Sequence, residues 1–150
     1  MRPVAVMTRK SRIMCFLGVD IGGTSVRSLV TDAGGKILGY QRIARVSHES
    51  LWQAINDCLG TVLAQSSVVH VEAAVVGAAG AGPAGNQYVC RSVEKAFGAV
   101  GLDVTPQVVT DIEIAYWSAA ALGDGSILVA GTGAIAGRFS EWRCVDRRDG

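Results

Sequence analysis

Asp20-Ile21-Gly22-Gly23-Thr24 sits between two apolar runs, and Ala130-Gly131-Thr132-Gly133 sits between two more, about 110 residues further on. A dense negative charge such as a β-phosphate is met by backbone N–H donors only where the chain comes very close. Glycine alone permits that approach without side-chain collision. Gly22 and Gly23 fill this need in the first turn, and Thr24 adds a hydroxyl. Gly131, Thr132 and Gly133 repeat the same chemistry. Together the turns read as two loops gripping one nucleotide phosphate chain from opposite sides. Taken singly, each is equally an ordinary hairpin connection.

Asp20 closes the first apolar run. A carboxylate binds phosphate poorly, so its expected role is to hold Mg²⁺, directly or through water, and offset phosphate charge. Arg27 follows on the next strand, where a cation helps or is simply solvated. Asp111 comes after Val108-Val109-Thr110 and begins a helix. It can serve as an N-cap. It can also act as the general base for a sugar hydroxyl attacking a γ-phosphate. One residue does both only if the side chain swings toward the cleft. No Gly-Lys-Ser/Thr follows the first turn, so it is not a Walker loop. It leads into a strand rather than a helix, so it is not a dinucleotide fingerprint.

The elements that must hold these residues follow from apolar spacing. Cys15 to Ile21, Val26 to Thr31 and Ile37 to Ala44 read as three strands in an antiparallel meander. Leu51, Ile55, Leu59 and Val62 share one helical face, with Ser47 as N-cap and Glu49 at the positive end of the dipole. Val71 to Gly77 is nearly all apolar, as in a parallel strand buried on both faces. A loop over Gly77 to Gly85 leads to a helix through Tyr88, Val93, Phe97 and Val100. Gln107 to Thr110 is a short strand and Asp111 to Leu122 a third helix. After Gly123-Asp124-Gly125, Ser126 to Ala130 and Ile135 to Phe139 form a hairpin. The order is β-β-β-α-β-α-β-α, then a hairpin that repeats the start of the chain. Residues 15–122 thus read as one α/β domain and 123–150 as the start of a second, similar one.

Bulk properties restrict the function classes. Hydrophobic residues make up 49% and charged residues 18% of the 150, and nineteen are glycine. The net charge of +1 gives no electrostatic case for nucleic acid. No apolar run approaches the roughly 18 residues of a membrane span. Residues 1–14 form a basic leader too polar for a secretory signal. Cys15, Cys58, Cys90 and Cys144 are far apart, without CxxC spacing or paired histidines. They read as free thiols of a cytoplasmic protein, Cys144 lying in a charged tail.

Leu17-Gly18-Val19-Asp20-Ile21-Gly22-Gly23-Thr24, Thr110-Asp111 and Val129-Ala130-Gly131-Thr132-Gly133-Ala134-Ile135-Ala136-Gly137 resemble the BadF/BadG/BcrA/BcrD ATPase family. That family includes N-acetylglucosamine and glucosamine kinases and belongs to the actin-like sugar-kinase/Hsp70 superfamily. The resemblance implies a ribonuclease-H-like α/β domain followed by a second one, with ATP and sugar in the cleft between them. Asp20, Gly22, Gly23 and Thr24 match the first phosphate motif. Gly131, Thr132 and Gly133 match the second, where Thr132 and Gly133 also approach the sugar. Asp111 matches the catalytic base. The stretch Gly77-Ala78-Ala79-Gly80-Ala81-Gly82 matches the sugar-side loop, with Gly80 and Ala81 as contacts. Three positions depart from the family pattern. Ser25 stands where a lysine is common, Thr110 where an asparagine is common, and Arg45-Val46-Ser47-His48 carries no asparagine.

The expectation is an ATP-dependent amino-sugar kinase, using Mg²⁺, of which this chain is the N-terminal portion with little activity alone. A homodimer is expected, with the last hairpin packing on another copy. Two other readings stand beside it: an ATPase activator of a 2-hydroxyacyl-CoA dehydratase, and a non-catalytic sugar-binding module.

Overall fold

A computed structural model describes residues 13–45, 50–82, 86–119, 123–130 and 134–149. Its first sheet contains β1 (Cys15–Ile21), β2 (Ser25–Asp32), β3 (Ile37–Ala44), β4 (Ala73–Ala78) and β5 (Gln107–Thr110), in the order β3-β2-β1-β4-β5. β1, β2 and β3 pair antiparallel, while β4 and β5 run parallel to β1. The meander and the buried parallel strand read from the sequence are both present.

Alternation along β1 explains the two faces of this sheet. Cys15, Leu17, Val19 and Ile21 are buried on one face with Val26 and Val30 of β2 and Val76 and Ala78 of β4. Helix α1 (Leu51–Ser66) closes this face with Ile55, Leu59 and Val62, and α2 (Asn86–Ala99) adds Val93 and Phe97. The Lys95 ammonium lies 3.7 Å from the centroid of the Trp52 ring and joins the two helices. Ser28 of β2 is fully buried, and its hydroxyl donates to the Cys58 carbonyl at 3.2 Å. Burial pushes the Cys58 thiol up.

Helix α1 starts one turn later than a Ser47 cap implies. Ser50 is its N-cap, and the Ser50 N–H donates to Gln53 Oε1 at 3.2 Å in a capping box. Ser47, His48 and Glu49 lie outside the described residues.

Helix α3 (Asp111–Ala119) covers the opposite face. Gly77 of β4 points at it: a Cβ there would lie 2.5 Å from Ile114 Cγ2. The second sheet, β6 (Gly125–Ala130), β7 (Ala134–Ser140) and β8 (Arg143–Asp149), packs on the other side of α3. Ile112, Tyr116 and Phe139 are its buried core, and the Tyr116 and Phe139 rings stack with centroids 4.0 Å apart.

β8 corrects the reading of this segment as a charged tail. Glu141 and Trp142 form a two-residue turn with φ of 47° and 68°. Left-handed conformations at both central positions are the type I′ hairpin, normally marked by Asn-Gly. Asp124 compensates by accepting from the Glu141 N–H and the Ser140 hydroxyl, each at 3.0 Å. These bonds hold its carboxyl below the usual aspartate range. The charges suit an exposed edge strand, where Arg147 pairs with Asp149 at 2.9 Å and Arg148 with Asp146 at 3.6 Å. Cys144 therefore sits beside Phe139 in a strand, and burial raises its thiol pKa. Cys15 and Cys58 are buried and Cys90 and Cys144 are half-buried, all four as free thiols.

Candidate functional site

Register brings the expected site residues of the first sheet to one edge. Ile21 of β1 pairs with Ala78 of β4, and Ala78 pairs with Thr110 of β5. The Gly22–Thr24 turn, the loop from Ala79 to Gly82 and Asp111 therefore all leave the carboxyl ends of three neighbouring parallel strands. Strands lie about 4.8 Å apart, so roughly 10 Å separates the first turn from Asp111. Crevices outside the carboxyl ends of such strands are where ligands bind in open α/β sheets.

The first turn has an uneven donor set. The Gly22 N–H donates to the Ser25 carbonyl at 2.9 Å and closes the turn, so it is not free for a ligand. The Gly23 and Thr24 N–H groups have no acceptor among the described residues, and both residues are exposed. Neither Gly22 nor Gly23 has a left-handed φ. A Cβ on Gly23 would meet nothing within 4 Å. The fold itself thus does not demand glycine at position 23, and the space above it is open.

Asp20 lies opposite Arg27 in the β1–β2 ladder, and Arg27 Nη1 donates to Asp20 Oδ2 at 2.9 Å. Both side chains are about half exposed, so this pair contributes little to stability. Asp20 Oδ1 has no partner among the described residues. One carboxylate oxygen without a protein partner, at the end of the strand that leads into the glycine turn, fits Mg²⁺, which usually takes one or two protein carboxylates plus water and phosphate oxygens. Beside the pair lies a shallow apolar depression of about 190 Å³ between Gly18, Leu29, Tyr40 and Ile114.

The ambiguity at Asp111 resolves through its neighbours. Thr110, not Asp111, caps α3. The Thr110 N–H and hydroxyl donate to Glu113 Oε2 at 2.9 and 2.7 Å, and the Glu113 N–H returns a bond to Thr110 Oγ1 at 3.3 Å. This is a Thr-x-x-Glu capping box. Asp111 stands one position inside the helix, half-buried, and among the described residues accepts only the N–H of the adjacent Ile112, at 3.0 Å. The capping box is made by Thr110 and Glu113, and Asp111 adds one bond to a first-turn amide through Oδ1, leaving Oδ2 without a partner among the described residues.

Stability measurements separate these roles. Glu113→Ala is expected to cost about 1–2 kcal/mol through the lost cap. Asp111→Asn is expected to cost only a charge–dipole share of about 0.3–0.5 kcal/mol. Thermal denaturation of the two variants checks this. Equal losses would make Asp111 a structural residue.

The loop after β4 is shorter than the glycine-rich stretch suggests. Gly77 and Ala78 belong to β4, and Gly77 is a packing residue beneath α3. The loop proper starts at Ala79, whose N–H donates to the Ile21 carbonyl at 2.9 Å. Gly80 takes a φ of 86° and Ala81 is buried. Gly131, Thr132 and Gly133 lie outside the described residues. Their flanking strands are paired up to Ala130 and Ala134. Two arginines near these loops were not singled out from sequence. Arg45 Nη1 donates to the Gly22 carbonyl at 3.2 Å. Arg147 Nη1 comes within 4.0 Å of where a Gly82 Cβ would stand.

No family model matches the chain, and no curated protein matches it in sequence. Solved structures do match. A candidate N-acetylglucosamine kinase of Porphyromonas gingivalis superposes with a TM-score of 0.70 at 18% identity, over 89% of this chain and 47% of that one. The ROK hexokinase of Thermus thermophilus gives 0.67 at 19% identity, over 88% of this chain and 49% of that one. A ROK family glucokinase of Streptomyces griseus, solved with glucose and AMPPNP, gives 0.60 at 26% identity, over 91% and 47%. The chain spans about half the length of these structures. The likeness shows the fold: an α/β, ribonuclease-H-like part of the actin-like ATPase architecture.

Proposed function

We propose that this chain is the phosphate-binding front portion of an ATP-dependent sugar kinase of the BadF/BadG/BcrA/BcrD type. The observation that carries this reading is the pairing of two features at one sheet edge. The Gly23 and Thr24 amides lack acceptors among the described residues, and with Thr110 and Glu113 forming the capping box Asp111 keeps one carboxylate oxygen, Oδ2, without a partner among them. Donors for a phosphate and a carboxylate for an attacking hydroxyl are the two requirements of phosphoryl transfer. Asp111 would accept the hydroxyl proton, and Gly23 and Thr24 would hold phosphate oxygens. Asp20 would hold Mg²⁺, which supplies charge neutralisation on the phosphates. Gly131, Thr132 and Gly133 would form the facing phosphate loop, and Gly80 and Ala81 the sugar side. An amino sugar such as N-acetylglucosamine or glucosamine is the inferred acceptor.

Residues 123–150 are read as the start of a second domain of the same kind. Support comes from β6-β7-β8, which repeats the antiparallel meander of β1-β2-β3. The exposed β6 edge, with Leu128 at 70% exposure, favours a second copy as partner. No helix among the described residues is long and apolar enough to cross a membrane. A cytoplasmic location is part of the proposal.

Calorimetric titration with Mg·ADP and an ADP-release assay with N-acetylglucosamine, glucosamine and glucose test this reading. Weak Mg·ADP binding that drops at least about tenfold in Gly23→Val is expected, since a side chain would fill the space where phosphate approaches. Sugar-dependent ADP release by the 150-residue chain is expected to stay near background. Binding unaffected by Gly23→Val would sink the phosphate assignment. Vigorous turnover abolished by Asp111→Ala would support the kinase and refute the inactivity.

A further inference from the structure

We propose that Arg45 is a phosphate-binding residue of the first glycine turn. The inference rests on the phosphate-loop reading above. Arg45 directly follows β3 and holds the turn at both ends. Its backbone N–H donates to the Thr24 carbonyl at 2.9 Å, and its Nη1 donates to the Gly22 carbonyl at 3.2 Å. Carbonyl oxygens repel an anion, and a turn lined by them would be a poor phosphate site. One residue engages two of the turn's three carbonyls here, and the Gly23 and Thr24 N–H groups stay without an acceptor among the described residues, as the Gly23 carbonyl stays without a donor.

The guanidinium has capacity left over. Arg carries five N–H donors in a planar fork suited to phosphate oxygens. Among the described residues, Arg45 uses one of them on a protein acceptor and forms no ion pair with a carboxylate. Arg27, on the neighbouring strand, is committed to Asp20. Arg45 is also half-buried, where charge acts more strongly than in open solvent. A half-buried cation with spare donors, bonded to the turn whose glycine leaves open space, matches a terminal phosphate oxygen of an oligophosphate. The residue thus does two jobs: it turns the Gly22 and Thr24 carbonyls toward itself, and it offers its own N–H groups to the ligand.

Calorimetric titration of the chain with inorganic tripolyphosphate, at low and high salt, tests this. Arg45→Gln is expected to weaken binding about tenfold at low salt, as for loss of a charge-assisted hydrogen bond. The gap should narrow as salt rises, because screening weakens the wild-type advantage. Arg45→Lys keeps the charge and is expected to fall between the two. Arg42→Gln removes the same charge from β3 without touching the turn and is expected to lose less than about twofold. A loss in Arg45→Gln that does not change with salt would mean a purely structural tie and overturn the proposal. So would wild-type affinity in both Arg45 variants. If Arg45→Gln does not fold, Arg45→Lys decides: undiminished binding overturns the proposal. Binding by wild type that Gly23→Val leaves intact would place the ligand elsewhere and overturn the underlying reading as well. No binding by wild type would have the same consequence.

Discussion

Phe139→Ala is expected to detach the second sheet while the five-stranded sheet stays folded. Truncating a fully buried phenylalanine costs about 3–5 kcal/mol. Among the described residues, the core beneath the second sheet has Ile112, Tyr116 and Phe139 as buried side chains, with Trp117, Ile127, Ile135 and Cys144 packed around them. So small a cluster has no reserve for a loss of that size. The first core contains twenty-one buried residues among those described and does not include Phe139. The chain's three tryptophans divide between the two regions. Trp52 lies on α1 under Lys95, while Trp117 on α3 donates its indole N–H to the Trp142 carbonyl at 3.0 Å. Denaturation followed in a Trp52→Phe background reports the second sheet, and in a Trp117→Phe/Trp142→Phe background the first. Phe139→Ala should split these curves, with the second-sheet signal lost first. Coincident curves would show that α3 couples the two sheets into one unit.

The strands were legible where the signal is local. β1 and β3 begin and end where apolar alternation and the Asp32–Lys36 turn put them. The turn itself is held by the Asp32 carboxylate, which accepts from the Gly34 and Lys36 N–H groups at 2.9 Å each. β8 was not legible, because its hairpin lacks glycine and asparagine and depends on Asp124, seventeen residues before Glu141. No pattern within the turn announces a contact of that range. Of the residues that mark α2 in sequence, Val93 and Phe97 are buried while Tyr88 is exposed and Val89 beside it is buried. The capping box at α3 was legible but overlooked. Thr110-Asp111-Ile112-Glu113 is a Thr-x-x-Glu signature, and it moves the cap one residue upstream of Asp111. At the first turn, sequence identified the glycines but not which amides remain unused. Gly22 spends its N–H on Ser25, and Arg45, twenty-three residues on, engages its carbonyl. Gly77 reads in sequence as the point where strand gives way to loop, because glycine signals a turn, yet β4 runs on through Ala78. The reason for glycine there is a close approach across the sheet, which only the packing reveals.

That approach sets the second large effect. Gly77→Ala is expected to destabilise the chain by about 2–3 kcal/mol, as overpacking does where neighbours cannot yield. The added Cβ would lie 2.5, 2.9 and 3.0 Å from Ile114 Cγ2, Cβ and Cδ1. Ile114 is branched at the clashing carbon, so no rotamer change removes the overlap. β4 cannot retreat either, because it pairs with β1 on one side and β5 on the other. The strain must fall on α3, which is held from behind: a Cβ on Gly137 of β7 would stand 2.8 Å from Ile112 Cδ1, and one on Gly125 of β6 would stand 2.9 Å from the Tyr116 hydroxyl. Three glycines thus clamp one helix between two sheets, and that helix carries Asp111 at its first position. Ile114→Ala should restore most of the loss caused by Gly77→Ala, with a coupling energy above about 1 kcal/mol in a double-mutant cycle. Additive losses would mean that the strain is absorbed elsewhere. Rescue would establish that the depth of α3, and with it the position of Asp111 against the first glycine turn, is set by the missing side chain at position 77.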